Sequence, residues 1–362
     1  MPERRRFWAP GRVNLIGEHT DHTGGLVLPV AIDRGITLEA ELGGDVISLS
    51  SDEMPGMVTV RADGVNPPAT GWARYVSAVA IELEDVVGRP SGVRGHLSST
   101  LPMGAGLSSS AALEVVVALA LCAASDVIAD PMWLAALCQR AEHRAVGVPS
   151  GVMDQAASLL GTPDHAILLD CTTLVHELVP MPADHVLVVL DSGVRRRLSD
   201  SGYEARTREL ARALPVLGGR RPADVSPDEL PLLLADLDPL ASRRLRHVVT
   251  ENDRVRTAAR SLRDGDLAAL GTVMAEGHAS LRDDFEVSTP ELDTLVRLAI
   301  AHGATAARMT GGGFGGSVVA LIPADDAPVA AERVLSDYRK HNPLRLGYAF
   351  ATRASPGAGE IR

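Results

Sequence analysis

The sequence predicts an α+β protein. Three observations carry that prediction. Strand-like and helix-like stretches alternate without a regular βαβ beat. A glycine- and serine-rich turn runs straight into a long apolar helix. The chain has 362 residues, too many for one ordinary core, which implies about two domains.

The totals exclude several classes. An apolar fraction of 46% and a charged fraction of 22% are those of a soluble globular protein. A formal charge of −11 argues against a nucleic-acid binder, which needs a basic surface to displace counterions. It leaves room for a phosphorylated ligand held by backbone N–H groups. Cys122, Cys138 and Cys171 are odd in number and form no CxxC pair, which argues against a disulfide framework or thiolate zinc site and fits a reducing compartment. The basic start, residues 1–6, is not followed by the apolar stretch of a signal peptide. The longest apolar run, 115–124, is too short to span a bilayer. The expectation is a cytoplasmic protein without nucleic-acid or membrane partners, a monomer or weak oligomer.

The elements follow in order. Residues 12–15 alternate like a strand. Residues 26–32 read as a strand broken by Pro29, and 36–42 and 57–60 as further strands. Tyr75, Val76, Val79, Ile81 and Leu83 predict a helix over 72–87. A strand at 92–97 leads to the glycine-rich turn and a helix over 111–124, with a second helix over 132–146. Strands are expected at 166–171 and 186–191, helical structure from 203 to about 281, a strand at 318–322, a helix over 327–340 and a last strand at 347–351. The stretch 179–184, VPMPAD, reads as a hinge between two halves.

Three constellations carry chemistry. In PMGAGLSSS, the small residues let the backbone approach a bulky anion, and the helix that follows turns its N-terminus toward it. The serine hydroxyls suit phosphate oxygens or Mg²⁺. A helix N-cap is the plainer reading, but needs one serine rather than Ser108, Ser109 and Ser110 together. No Gly-Lys-Ser/Thr is present, so this is not a Walker A loop. In AEHRAVGVPSGVMDQ, Glu142 and Asp154 flank a turn that can bring both carboxylates to one site; two solvated acids are the alternative. Mg²⁺ takes oxygen ligands, and phosphoryl transfer needs a base or positioning group at the acceptor hydroxyl. ARMTGGGFGGSVVALI formally matches the dinucleotide fingerprint. That fingerprint opens a helix after a strand, whereas here a strand follows, so a glycine loop packing against the site or a tight turn fits better. His19 and His22 have metal-like spacing, but no third histidine lies nearby, which argues against zinc.

Together these segments resemble the GHMP kinase superfamily and, within it, the galactokinase family. GRVNLIGEHTD is similar to the galactokinase signature, LPMGAGLSSSAALEV to the ATP-binding motif and RMTGGGFGG to the third motif. WARYV at Trp72, ILLDCTTL at Ile167 and DSGVRRRLSDSGYEAR at Asp191 are further matches. The similarity runs from Arg4 to about Thr352 and is weakest over 213–270. The resemblance implies a two-lobed fold, with an N-terminal ATP-loop domain over 1–182, a ferredoxin-like C-terminal domain over 183–362, and the active site between them. It implies a sugar kinase using ATP and Mg²⁺, with galactose phosphorylated at C1. By the same resemblance Asp154 and Arg12 are catalytic. Glu18, His19, Asp21, Gly151 and Tyr203 bind the sugar. Trp72, Gly104, Ala105, Gly106, Leu107, Ser108, Ser109 and Ser110 bind ATP, and Ser110 and Glu142 hold Mg²⁺. This sequence departs from the family pattern twice, with His22 where the signature ends in Tyr and Ser150 where Cys is common. The alternatives are a kinase for a related monosaccharide, such as galactosamine, or a non-catalytic sugar and ATP sensor. The presence of Arg12, Asp154, Glu142 and an uninterrupted GLSSSAA disfavours the sensor.

Overall fold

The computed structural model describes residues 4–64, 71–102, 104–147, 150–195 and 202–361. Parts of four sequence readings lie outside the described residues: 1–3 of the basic start, Met103 of the glycine-rich turn, Val148 and Pro149 before Asp154, and 196–201 before Tyr203.

The N-terminal part runs β1 (Arg4–Asn14), a 3-10 turn (Asp21–Thr23), β2 (Leu26–Val27), β3 (Pro29–Leu42), β4 (Val46–Ser51), β5 (Met57–Arg61), α1 (Ala73–Val87), β6 (Val93–Ser99), α2 (Ser109–Ala124), α3 (Pro131–Val146), α4 (Met153–Leu160), β7 (His165–Asp170) and β8 (His176–Pro180). The C-terminal part runs β9 (His185–Asp191), α5 (Gly202–Ala213), α6 (Leu230–Leu233), α7 (Pro239–Asp264), α8 (Leu267–Asp283), α9 (Pro290–Ala301), β10 (Ala306–Thr310), β11 (Ser317–Pro323), α10 (Ala327–His341), β12 (Tyr348–Thr352) and β13 (Gly359–Ile361).

The strands form a six-stranded sheet, β13-β1-β3-β6-β4-β5, a four-stranded sheet, β10-β11-β9-β12, and a small sheet, β2-β7-β8. In the four-stranded sheet β9 is flanked by β11 and β12, the strand order of a ferredoxin-like unit, with α5 to α9 inserted between its first two strands. This is the two-lobed α+β fold that the resemblance implied. The lobes are not strictly sequential, because β13 returns to pair with β1.

α2 is packed nearly all round. From Ala111 to Cys122 only Leu119 is not fully buried, and the helix lies against β1, β3, α1 and α3. The long apolar run is therefore core. Burying each Val or Leu side chain contributes about 1.5–3 kcal/mol. Among the described residues no helix is long and apolar enough to cross a membrane.

Several sequence readings need correction. Residues 26–32 are two strands in different sheets, because β2 pairs with β7 while β3, opened by Pro29, pairs with β1 and β6. The strand read at 36–42 is the second half of β3. α4, whose first turn carries Asp154, was not read from the sequence. Val179 and Pro180 of the expected hinge belong to β8, and Val179 is buried opposite Ala166; only 181–184 cross to β9. Helical structure over 203–281 is interrupted by 3-10 turns at Leu214–Leu217, Pro222–Asp224 and Pro227–Glu229, each with a proline in its opening turn. β4, β8, α9, β10 and β13 were not read from the sequence.

Candidate active site

The site forms where β1 meets the glycine-rich turn. The β1–β3 register shifts between Pro10 and Arg12. Gly11 occupies that irregularity, and a Cβ there would stand 2.5 Å from Leu101 Cδ2 and 2.6 Å from the Leu107 carbonyl oxygen. Only glycine lets the turn close this tightly on the strand. The Arg12 N–H then donates to the Leu107 carbonyl at 3.2 Å. A cleft of about 500 Å³ opens here between the lobes.

On one side of the cleft lies the start of α2. Gly104 and Gly106 have φ of 72° and 77°, and Ser108 is left-handed at 59°. The Ser108 side chain does not cap α2. Its hydroxyl donates to Asp154 instead, so the plain N-cap reading of the serines does not hold for Ser108. The α2 N-terminus thus has no side-chain cap, and Ser109 and Ser110 line the cleft beside it with Gly104, Gly106 and Leu107. Ala105 is not on the wall. It is buried, and its carbonyl accepts from Ser317 Oγ at 2.8 Å, tying this turn to β11. Trp72, just before α1, and Tyr75 complete this side.

Asp154 and Arg12 meet at the centre. Arg12 Nε donates to Asp154 Oδ1 at 2.8 Å and Nη2 to Oδ2 at 2.9 Å, while Nη1 donates to the Gly106 carbonyl at 2.8 Å. The Arg12 side chain is 6% exposed and that of Asp154 25%, so the carboxylate faces the cleft while the guanidinium is enclosed. A two-pronged contact of this kind fixes the carboxylate plane.

Ser110 and Glu142 also meet. Ser110 Oγ donates to Glu142 Oε1 at 3.0 Å. Glu142 Oε2 accepts from Ser150 Oγ at 3.0 Å and from Gln155 Nε2 at 2.9 Å. Burial first, and then the nearby Asp154 charge, push the Glu142 carboxyl up. Glu114, one helical turn beyond Ser110, is buried and accepts from Gln155 Nε2 at 3.1 Å. Burial pushes its carboxyl well above the usual range. All three cysteines are free thiols.

The sugar-signature residues line the opposite side. Asp21 opens the 3-10 turn, and a Cβ on Gly151 would stand 2.2 Å from its Cγ. Glycine at 151 is what leaves room for the Asp21 carboxylate. The His19 ring packs 5.4 Å from the Tyr203 ring and 4.5 Å from that of Phe285. Glu18 is buried. Its Oε2 accepts from Arg308 Nη2 at 2.5 Å and its Oε1 from the Gly311 N–H at 3.3 Å. Arg308 also donates to Glu251 Oε1 at 2.8 Å, and Glu251 takes Arg254 Nε at 2.7 Å. Two cations thus serve Glu251 and hold its carboxyl low against burial. Burial wins at Glu18, pushing it up to about 7 against the pull of Arg308.

His22 does not line the cleft. Its side chain is buried behind Asp21, with Nδ1 3.5 Å from Asp21 Oδ1, and neither ring nitrogen has a hydrogen-bond partner among the described residues. The glycine loop of the third motif joins β10 to β11, a hairpin rather than the strand-to-helix turn of a dinucleotide site. Tyr75, Glu114, Gln155, Glu251 and Arg308 were not singled out from the sequence. The available signal was a lone charge in an apolar run: Glu114 within SSSAALEVVV and Arg308 within ATAARMT.

Comparison with known proteins agrees with this geometry. The galactokinase galactose-binding signature matches residues 2–41, the GHMP kinases N terminal domain 74–162 and the GHMP kinases C terminal 258–340. The crystal structure of Lactococcus lactis galactokinase complexed with galactose is 33% identical, covers 99% of this chain and 95% of its own, and superposes with a TM-score of 0.93. More distant structures share the fold alone. Methanococcus jannaschii mevalonate kinase is 18% identical over 98% of this chain and 99% of its own, with a TM-score of 0.65. Homoserine kinase from Cytophaga hutchinsonii is 17% identical over 100% and 98%, with a TM-score of 0.63. With sugar signature, glycine-rich turn and third motif gathered on one cleft, the chain belongs to the galactokinase family of the GHMP kinases.

Proposed function

We propose that this protein transfers the γ-phosphoryl group of ATP to the C1 hydroxyl of α-D-galactose, giving galactose 1-phosphate and ADP. One observation carries the reading: Asp154, held by Arg12 and Ser108, faces the cleft where the sugar signature meets the glycine-rich turn. The C1 oxygen bonds to the γ-phosphorus as the bond to the bridging oxygen breaks and ADP leaves with its electron pair. The hydroxyl proton passes to Asp154. Arg12 orients that carboxylate and faces the charge developing on the transferred group. Asp21, His19 and Tyr203 hold the sugar, with Gly151 offering a backbone group beside Asp21, and Glu18, whose two oxygens are taken by Arg308 and the Gly311 N–H, backs them. The uncapped N-terminus of α2, with Gly104 to Ser110, takes the phosphates, and Trp72 lies on the nucleotide side.

The donor set fits Mg²⁺. Ser110 and Glu142 supply a hydroxyl and a carboxylate 3.0 Å apart beside the phosphate turn, and Mg²⁺ is commonly held by one or two protein oxygens plus substrate phosphates. The ion, when bound, neutralises phosphate charge. The same reading divides the chain between 182 and 183; one apolar cluster is drawn wholly from residues beyond 185, while the other joins the N-terminal core to Leu187, Val255 and Leu270 across that boundary. Three free thiols fit a cytoplasmic setting.

The test is ADP release across a panel of monosaccharides, with the product examined by NMR for an anomeric phosphate. Galactose should be strongly preferred over glucose, because an epimer at C4 leaves a buried acceptor unpaired. Equal use of the two sugars would leave a GHMP sugar kinase of another acceptor. His22 behind Asp21 favours one such second reading, a kinase that also accepts a related hexose such as galactosamine.

A further inference from the structure

α4 presents two adjacent side chains to two different carboxylate settings. Asp154 turns to Arg12 and Ser108 in the cleft. Gln155 turns the other way and is fully buried. Its amide nitrogen lies 2.9 Å from Glu142 Oε2 and 3.1 Å from Glu114 Oε2. The amide nitrogen stands between the two carboxyl oxygens, and each of its hydrogens serves one acid.

The arrangement divides the two oxygens of Glu142. Oε2 is anchored by Gln155 and Ser150, whereas among the described residues Oε1 meets only Ser110. A glutamate at this depth would otherwise rotate about its last torsion, which is broad and roughly two-fold. Two donors on one oxygen remove that freedom and leave the other directed at the hydroxyl beside the phosphate turn. A buried glutamine serving only as core is a poor choice here. It costs more to desolvate than methionine of similar size, and its own Oε1 has no partner among the described residues.

We infer that Gln155 is a positioning residue for the metal-binding carboxylate, bracing Glu142 against Glu114 so that Oε1 stands beside Ser110. Helix α4 then couples the two halves of the chemistry, carrying the proton acceptor at 154 and the brace at 155. This inference rests on Glu142 being a metal ligand, as in the proposed function.

The experiment measures Mn²⁺ binding in the presence of ADP by electron paramagnetic resonance, without turnover, in the full-length protein. Gln155→Met keeps the volume and removes both hydrogen bonds. Gln155→Asn keeps an amide too short to reach both acids, and carries the test if the methionine variant fails to fold. Glu142→Gln is the control. Loss of a hydrogen bond to a charged group predicts roughly 10-fold weaker Mn²⁺ binding in the Gln155 variants, with the KM for galactose unchanged. If Glu142→Gln weakens Mn²⁺ binding and the Gln155 variants stay within twofold of the parent, Gln155 is packing only and the inference is overturned while the proposed function stands. If Glu142→Gln itself leaves binding unchanged, the metal role of Glu142 fails, and the inference with it.

Discussion

Two arginine–carboxylate pairs hold this molecule at its centre, and they differ in one respect. Arg12 grips both oxygens of Asp154 from a wall of the cleft, and Asp154 keeps a quarter of its side-chain surface open. Arg308 joins Glu18 to Glu251 with all three side chains enclosed. The open pair is placed to meet a ligand. The closed pair ties β10 of the C-terminal sheet to the signature turn and to α7, so it is a joint between lobes. Similar chemistry thus serves reaction in one place and assembly in the other, with access deciding which.

The comparison breaks most sharply at Asp154. Asp154→Asn should lower kcat by about 10²–10⁴-fold, because an amide cannot accept the hydroxyl proton. Thermal unfolding should move less, since the asparagine oxygen and the Gly106 carbonyl still accept from the enclosed Arg12. A rate within a few-fold of the parent would show that Asp154 is not the base.

Arg308→Ala should behave in the opposite way. Removing one partner from a buried ionic network typically costs about 3–5 kcal/mol. Two acids, Glu18 and Glu251, would lose their shared cation. Urea unfolding should show that loss even with no ligand present. A stability within about 1 kcal/mol of the parent would mean that Arg308 is not a joint.

The closed pair also carries a pH signature. The Glu18 carboxyl is raised from 4.5 to about 7 by burial, so folding favours its protonated form. The stability it contributes is fully present below pH 4.5 and is lost as pH rises toward 7. His247 and His278, lowered by burial from 6.5 to about 4, act in the other direction: their contribution is present above 6.5 and is lost as pH falls toward 4. The two effects oppose each other between pH 4.5 and 6.5. Glu18→Gln, which mimics the protonated acid, removes one of them. The difference in Tm between Glu18→Gln and the parent should therefore shift in favour of the variant as pH rises from 4.5 to 7. A pH-independent difference would remove Glu18 from the titration.

Much of the open site was legible in the sequence because its chemistry is local. GRVNLIGEHTD and GAGLSSSAA each crowd polar or small residues into one segment, and the close approach at Gly11 joins those segments. The closed joint was not legible. Arg308, Glu251 and Glu18 lie on three segments far apart in sequence; Glu251 reads as an ordinary charge, and Glu18 reads as a sugar ligand rather than as a partner of Arg308. The boundaries that failed had similar causes. Pro29 separates strands that pair with different partners, and the short helix carrying Asp154 starts after Val152, whose side chain makes no cap that would mark a helix start. Pairing partners and helix starts of this kind depend on tertiary contacts rather than on local pattern.

The smallest expected effect tests how the open site is backed. Asp21 reaches the cleft because Gly151 makes room in front of it, while His22 fills the space behind it. The His22 ring lies 6.1 Å from Tyr203 and 6.3 Å from His19, so a change of shape there can be transmitted to Asp21, His19 and Tyr203 on the cleft wall. Tyrosine, the usual family residue, is larger and brings a hydroxyl that must find a partner, whereas the buried nitrogens of His22 have none among the described residues. His22→Tyr should therefore narrow acceptor range without abolishing activity. The expected change is about 3–10-fold in the ratio of kcat/KM for galactose to that for galactosamine or 2-deoxygalactose, within the range set by small changes in pocket shape. Galactose itself should change less, because its own contacts to Asp21 remain. Measuring kcat/KM for galactose, glucose, galactosamine and 2-deoxygalactose in both proteins decides the matter. Identical profiles would show that the residue behind Asp21 only packs, and that selectivity is set wholly by the residues facing the cleft.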